Sequence, residues 1–440
     1  MRMRKKVLAT VLFALLSGSA AVAQKLQFTE YDLSNGLHVI LHQDKSAPVV
    51  AVSVMYHVGS KNEDTARTGF AHFFEHLLFE GTENIKRGEF DKIVSSNGGQ
   101  ANANTTQDRT FYYELFPSNQ LELGLWLESE RMFHPVINEI GVKTQNEVVK
   151  EEKRQRLDNQ PYGKFTYEVF RRLFSAHPYR WQPIGSMEHL DAATLAEFKA
   201  FFKKYYVPNN AVLSIAGDID IEKTKGLVKA YFEEIPKGAP VAPVAVTEQP
   251  LTHEIVDTVY DANIQIPAIF AAYRIPGSKN HDSKVLEMIS SILSGGGSSR
   301  LSKKMVDEKK NALEVAAFNY ALEDYGAYIT LALPNNNASL DSLLADIDAE
   351  VASLQKDLIS ESEYKKILNQ FENNYVSANS KMLGVVENLA NGYTFKKNTN
   401  DINEELDEIR SITREEIRDI ARKYLVKTQR VVLYYLPGKE

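Results

Sequence analysis

The sequence predicts an α+β fold built twice along one chain, and three observations predict it. "YHVGSKNEDT", beginning at Tyr56, recurs as "YRIPGSKNHDS" from Tyr273, with Gly59 and Gly277 218 positions apart. "TLAEFKAFFKKYYVPNNAVLSIAGD", from Thr194, lines up with "TREEIRDIARKYLVKTQRVVLYYLPG", from Thr413, at an offset of 219. Two separated matches at nearly one offset imply a duplicated unit of roughly two hundred residues, the size of an ordinary domain. Within each half, hairpin-like strand runs precede helices. That order favours two homologous domains, each a mainly antiparallel sheet flanked by helices, over a doubly wound parallel sheet.

The elements follow from periodicity. "HVILHQDKSAPVVAVSVMYHV" and "NAVLSIAGDI" are rich in Val and Ile, alternate in part, and read as strands. "TLAEFKAFFKKYY" reads as an amphipathic helix opened by Thr194 and Glu197 at capping-box spacing. "LDSLLADIDAEVASLQKDL" carries apolar residues at i, i+3, i+4 and i+7, the stripe of another helix. Between the copies, "IPKGAPVAPVAVTEQP" is rich in Pro, Ala and Val and suits an extended linker. The expected division is a leader at 1–23, a first domain at 24–235, a linker at 236–252 and a second domain at 253–440.

With 440 residues, 43% hydrophobic and 25% charged, the chain is long and apolar enough for sizeable cores. Its formal net charge is −7 and no basic block follows the first few residues, which argues against nucleic acid as a partner. "MRMRKK", then "VLATVLFALLSGSAA", then small residues at Ala21 and Ala23 form the layout of a secretory signal peptide cleaved after Ala23. The apolar stretch is too short for a stable membrane span, so a periplasmic or secreted product is expected. Loss of Arg2, Arg4, Lys5 and Lys6 takes the net charge from −7 to −11. No cysteine occurs, which excludes thiol nucleophiles and thiolate metal sites.

"GFAHFFEHLLFEGT", Gly69 to Thr82, places His72, Glu75 and His76 in an apolar, aromatic run. On a helix, His72 and His76 are one turn apart on one face, so two imidazoles can reach one ion. Glu75 lies beside them, an H-x-x-E-H arrangement in which a carboxylate stands ready as a general base. A third ligand must then be His, Asp or Glu. "NEVVKEEKRQ" is the best source, although spacing does not choose among Glu147, Glu151 and Glu152.

These residues resemble the insulinase/pitrilysin family of zinc metallopeptidases, the inverzincins, which includes the mitochondrial processing peptidases. The resemblance runs over nearly the whole mature chain, through "GGQANANTTQDRTFYY", "EVVKEEKRQ", "HPYRWQPIGSMEHL", "YYVPNNAVLSIAGD" and "GGGSSRL". It implies the two-domain fold of those enzymes and one Zn²⁺ per chain, held by His72, His76 and Glu152, with Glu75 as catalytic base. It also implies that Asn102, Ala103 and Asn104 lie on a sheet edge that binds peptide substrates as an added strand, in keeping with the pairing capacity of any exposed edge.

Departures from the family pattern sharpen the reading. Aligning Gly81 with Gly295 sets Leu286, Ile289 and Ser290 opposite His72, Glu75 and His76, so the second copy cannot build the metal site. Family members of one chain carry a substrate-binding Arg and Tyr after S-S-R-L; here Val306 and Glu314 fall near those positions. The resemblance to two-domain bacterial members therefore implies a heterodimer, with a homologous subunit supplying Arg and Tyr. Gln145 stands where many relatives carry a second acid. "SGGGSSRL" lacks the Lys of a phosphate loop and reads as a turn after a helix. The competing class is a non-catalytic scaffold or assembly subunit of the same fold.

Overall fold

In the computed structural model, which describes residues 25–438, each half of the chain builds its own sheet. The expected leader lies outside the described residues. The first sheet contains β1 (Thr29–Asp32), β2 (His38–Gln43), β3 (Val49–Tyr56), β4 (Gln100–Thr105), β5 (Thr110–Pro117) and β6 (Ala211–Gly217), in the order β1-β2-β6-β3-β5-β4. The second contains β7 (Ile255–Asp261), β8 (Ala268–Pro276), β9 (Ala312–Ala321), β10 (Tyr325–Pro334) and β11 (Arg430–Pro437), in the order β7-β11-β8-β10-β9. With β1 set aside, the two orders coincide strand for strand.

Each sheet has one parallel pair, β2 with β6 and β7 with β11, and the remaining pairings are antiparallel. The parallel pair arises because the last strand of each half returns only after a series of helices, a connection long enough to reverse direction. The duplicated helix recurs as well. Thr194 and Glu197 close a capping box on Leu195–Tyr205, and Thr413 and Glu416 close the same box on Arg414–Tyr424. Residues 236–252 carry no helix or strand. Among the described residues, no helix is long and apolar enough to cross a membrane.

Strands β3 and β6 are apolar almost throughout and buried on both faces, the pattern of a sheet covered on two sides. On one face of the first sheet, Val52, Val54 and Leu213 meet Phe70, Phe73 and Phe74. The opposite face, with Ala51, Met55 and Phe111, is covered by Val385, Val386 and Leu389 on the helix Met382–Lys396, which belongs to the second half. The exchange is reciprocal. Phe270, Ala272 and Leu433 of the second sheet pack on Val169, Phe170 and Leu173 of the helix Phe165–Leu173, from the first half. Each sheet thus completes its burial only through the other half.

Ion pairs join the halves where the cores do not. Lys61 Nζ lies 3.0 Å from Asp108, 2.6 Å from Glu323 and 3.0 Å from Asp324, with only 6% of its side chain exposed. His57 Nε2 is 2.6 Å from the same Glu323 carboxylate. Burial acts to raise the Glu323 carboxyl, but His57, Lys61 and Lys279 outweigh it and hold the group well below the usual carboxylate range.

Candidate metal centre

The helix Phe70–Leu77 sorts its residues by face. Phe70, Phe73, Phe74 and Leu77 are buried, and Phe70 stacks on Phe198 with ring centroids 4.6 Å apart. His72, Glu75 and His76 occupy the other stripe. The helix starts without a capping side chain of its own, from Gly69 at φ +101°, a backbone region open to glycine. Glu63 supplies the acceptor instead: its two carboxylate oxygens accept the Gly69 and Ala71 N–H groups at 2.9 Å each, satisfying donors that a helix start leaves unpaired. Burial pushes this carboxyl up to about 8 against the pull of those N–H donors.

The acidic helix Glu139–Lys153 opens at Asn138, which accepts the Gly141 N–H. It crosses close to the histidine helix, since a Cβ on Gly141 would meet Leu77 Cδ1 at 3.3 Å. The crossing turns Glu152 inward, with 14% of its side chain exposed, while Glu147 and Glu151 point out at 69% and 52% and pair with Lys150 and Arg154. Glu152 Oε2 lies 3.4 Å from His72 Nε2 and 3.0 Å from His76 Nε2. Its other oxygen is 2.7 Å from Arg156 Nη1. His72, Glu75 and His76 bring one potential ligand atom each within 4.8 Å of one another. All four residues therefore converge.

The donor set fits zinc. Two imidazole nitrogens and a carboxylate oxygen, with no thiolate, are among its usual ligands. Tetrahedral bonds to zinc place neighbouring ligand atoms roughly 3.3 Å apart, close to the separations of Glu152 Oε2 from the two imidazoles. Glu152 Oε2, the atom that faces both imidazoles, is buried without a hydrogen-bond partner, although such atoms are normally satisfied. The contacts of His72 and then His76, against the effect of burial, hold the Glu152 carboxyl well below the ordinary range. Gln145 turns to another partner, donating to Glu80.

A cleft of about 870 Å³ opens over these residues and extends along Asn102, Ala103 and Asn104. Those three lie on β4, the edge strand of the first sheet. The Ala103 N–H donates to Asn102 Oδ1 at 2.8 Å and so points away from β5. Strand alternation separates the side chains. Ala103 packs on the core of the histidine helix, whereas Asn102 and Asn104 share a face with their cross-strand partners Tyr113 and Phe111, toward the second half. In the second copy, the helix His281–Ser294 buries Leu286 and Ile289, and Ser290 Oγ donates to the Glu287 carbonyl. Val306 packs into the second core and Glu314 sits on β9.

Nothing in the sequence marks the roles of three supporting residues, although Glu63 falls within the repeated "YHVGSKNEDT" and Arg109 within "GGQANANTTQDRTFYY". Glu63 lies in an irregular segment outside any periodic run. Arg131, 1% exposed, donates to the Leu78 carbonyl just past the histidine helix, at 3.2 Å. Arg109 donates to Asn104 Oδ1 at 2.6 Å.

The family model described as Insulinase (Peptidase family M16) matches residues 38–183, and that described as Peptidase M16 inactive domain matches residues 192–371. Zinc protease PqqE of Helicobacter pylori (strain ATCC 700392 / 26695) is 30% identical over 410 residues, 92% of either chain. The uncharacterized zinc protease YmxG of Bacillus subtilis (strain 168) is 24% identical over 92% of this chain and 97% of its own. The crystal structure of a protease from Helicobacter pylori superposes with a TM-score of 0.89 at 30% identity, covering 94% of this chain and 100% of that one. The periplasmic protease PqqL from Escherichia coli shares the fold at 19% identity and a TM-score of 0.78, over 95% of this chain and 48% of that one. With both family models matched and a zinc protease 30% identical along nearly the whole length, the chain belongs to the insulinase family, peptidase family M16.

Proposed function

We propose that this chain is an exported zinc-dependent endopeptidase or oligopeptidase that hydrolyses unfolded peptides as the metal-bearing subunit of a heterodimer. The observation that carries the reading is the approach of Glu152 Oε2 to both imidazoles, 3.4 and 3.0 Å away, with Glu75 beside them on the same cleft. His72, His76 and Glu152 would hold one Zn²⁺. The ion, when bound, polarises a peptide carbonyl and lowers the pKa of water toward about 7. Glu75 takes the proton from the attacking water and returns it to the leaving amine nitrogen. Arg156 holds the outer oxygen of Glu152 and keeps the inner one aimed at the imidazoles. An extended peptide adds to β4 beside Asn102, Ala103 and Asn104.

Export is supported by the leader-like N-terminus and by the fold shared with a protease named periplasmic. The heterodimer is supported by Val306 and Glu314, where an Arg and a Tyr would be expected. It is also supported by the Escherichia coli protein, about twice this length, whose first half alone matches 95% of this chain. Glu75→Gln tests the mechanism: the variant should keep about one zinc per chain and lose cleavage by at least about a hundredfold. Wild-type chain that takes up no zinc would favour the scaffold reading. Adding a homologous subunit should raise cleavage, and full activity of the chain alone would remove the heterodimer.

A further inference from the structure

The turn that joins the peptide edge β4 to β5 is gripped by the second half at two successive residues. Asp108 Oδ2 accepts the Glu323 N–H at 2.8 Å, and Asp108 Oδ1 accepts the Tyr179 hydroxyl and lies 3.0 Å from Lys61 Nζ. Next to it, Arg109 spreads its guanidinium between two partners. Nη1 donates to Asn104 Oδ1 at 2.6 Å, and Nη2 donates to Glu387 on the exchanged helix Met382–Lys396. The guanidinium also lies over the Phe111 ring, 5.1 Å from its centroid, with 10% of the side chain exposed. A planar fork with both arms engaged has little freedom left. The Asn104 side chain is therefore fixed by an arginine that the second half fixes in turn.

We infer that Arg109 is a positioning residue of the peptide-binding edge, and that the second half sets the placement of that edge through Glu387. The inference rests on the peptidase reading above. Strand addition requires the backbone N–H and C=O groups of β4 to stand in register with the incoming peptide. Releasing Asn104 loosens that edge and leaves the contacts among His72, His76 and Glu152 in place, while the Arg109 charge, which Glu75 feels, is kept in Arg109→Lys. The half without metal residues thereby acquires a task in binding substrate, transmitted by the chain Glu387, Arg109, Asn104.

The test uses the full mature chain and a fluorescent unfolded peptide. Binding is measured by anisotropy on the Glu75→Gln background, and kcat and KM are measured with Glu75 intact and the homologous subunit present. Arg109→Ala and Glu387→Gln should each weaken peptide binding about tenfold, the scale of one charge-assisted hydrogen bond, and raise KM alike, with kcat changed less than about twofold in Glu387→Gln, which keeps the Arg109 charge near Glu75. Their combination should be no worse than Arg109→Ala alone, since both cut one chain. Arg109→Lys, which keeps the charge without the fork, should recover part of the affinity. Zinc content should equal that of the parent in every variant. Unchanged peptide affinity in Arg109→Ala, independent addition of the two effects, or loss of zinc in step with affinity would each overturn the proposal. If Arg109→Ala fails to fold, Glu387→Gln, at a side chain 37% exposed, and Arg109→Lys carry the test. A parent that binds zinc but, with the homologous subunit present, neither binds nor cleaves peptide would refute the peptidase reading itself.

Discussion

Replacing Arg131 by Met should destabilise the protein more than any surface change, and by an amount that depends on pH. The Arg131 guanidinium sits 2.9 Å from Glu128 and 3.3 Å from Glu114, with the arginine 1% and both acids 0% exposed. Phe79, Phe90 and Tyr112 rings surround it at 4.3, 4.6 and 4.3 Å. One cation thus serves two buried acids, and burial followed by the Glu128 charge pushes the Glu114 carboxyl well above its usual range. Arg131→Met keeps an apolar stem against the three rings but leaves both acids uncompensated, at a cost of about 3–5 kcal/mol near pH 7.5. The Leu78 carbonyl also loses its donor, which adds about 1 kcal/mol or more. The sign with pH follows from Glu114, whose folded pKa lies above the unfolded one and rises further once the Arg131 charge that pulls it down is gone. Above about pH 4.3 the unfolded chain releases the Glu114 proton and the folded variant holds it longer than the parent does, so the deficit grows with pH by up to about 1.4 kcal/mol per unit until the variant's folded pKa is passed. Urea unfolding at pH 5 and pH 7.5 should therefore show the smaller deficit at pH 5. A further exchange of Glu114 and Glu128 for apolar residues should restore most of the loss. A deficit under about 1 kcal/mol at pH 7.5, or one equal at both pH values, would refute the reasoning.

Other perturbations reach the remaining parts of the structure. Glu323→Gln should cost about 3–5 kcal/mol at pH 7 in urea unfolding, because Lys61 stays buried among fewer charges. Since the folded Glu323 carboxyl is held low, its contribution is present above the unfolded pKa and lost as pH falls through the folded one, so the deficit should begin to shrink only below about pH 4. Leu389→Ala removes a fully buried side chain where the exchanged helix covers the first sheet, and should cost about 2–5 kcal/mol. Hydrogen exchange should report that loss on β3 and β6, in the other half of the chain; confinement to the second half would contradict the exchange. Glu152→Gln should weaken zinc binding by at least about a hundredfold in competition with a chelator, since loss of a ligand should exceed the known cost of losing its supporting partner.

The parts of this architecture legible in the sequence are those written in periodicity or repetition. The duplicated strand and helix signals around Tyr56, Tyr273, Thr194 and Thr413 name recurring elements, and the two sheets share one strand order. His72, Glu75 and His76 stand out because a helix face needs only local spacing to define it. Glu147, Glu151 and Glu152 remain equivalent at that level, because spacing does not say which side of their helix meets the neighbour; the crossing at Gly141 and Leu77 decides it. The continuous apolar runs of β3 and β6 signal burial on two faces but not the identity of the cover, so the exchange of Phe165–Leu173 and Met382–Lys396 is unreadable before the fold. Arg109 and Arg131 reach Glu387 and the Leu78 carbonyl across long sequence separations, and Glu63 caps a helix six to eight residues on from an irregular segment whose course no periodicity reveals.

Zinc X-ray absorption on the loaded wild-type chain and on Glu152→Gln tests the central claim most directly. The wild-type spectrum should show two imidazole nitrogens at about 2.0–2.1 Å with oxygen neighbours at about 2.0–2.2 Å, and the variant should lose an oxygen neighbour or the ion. Failure of the wild-type chain to retain zinc, or a spectrum that Glu152→Gln leaves unchanged, would contradict the assignment of His72, His76 and Glu152.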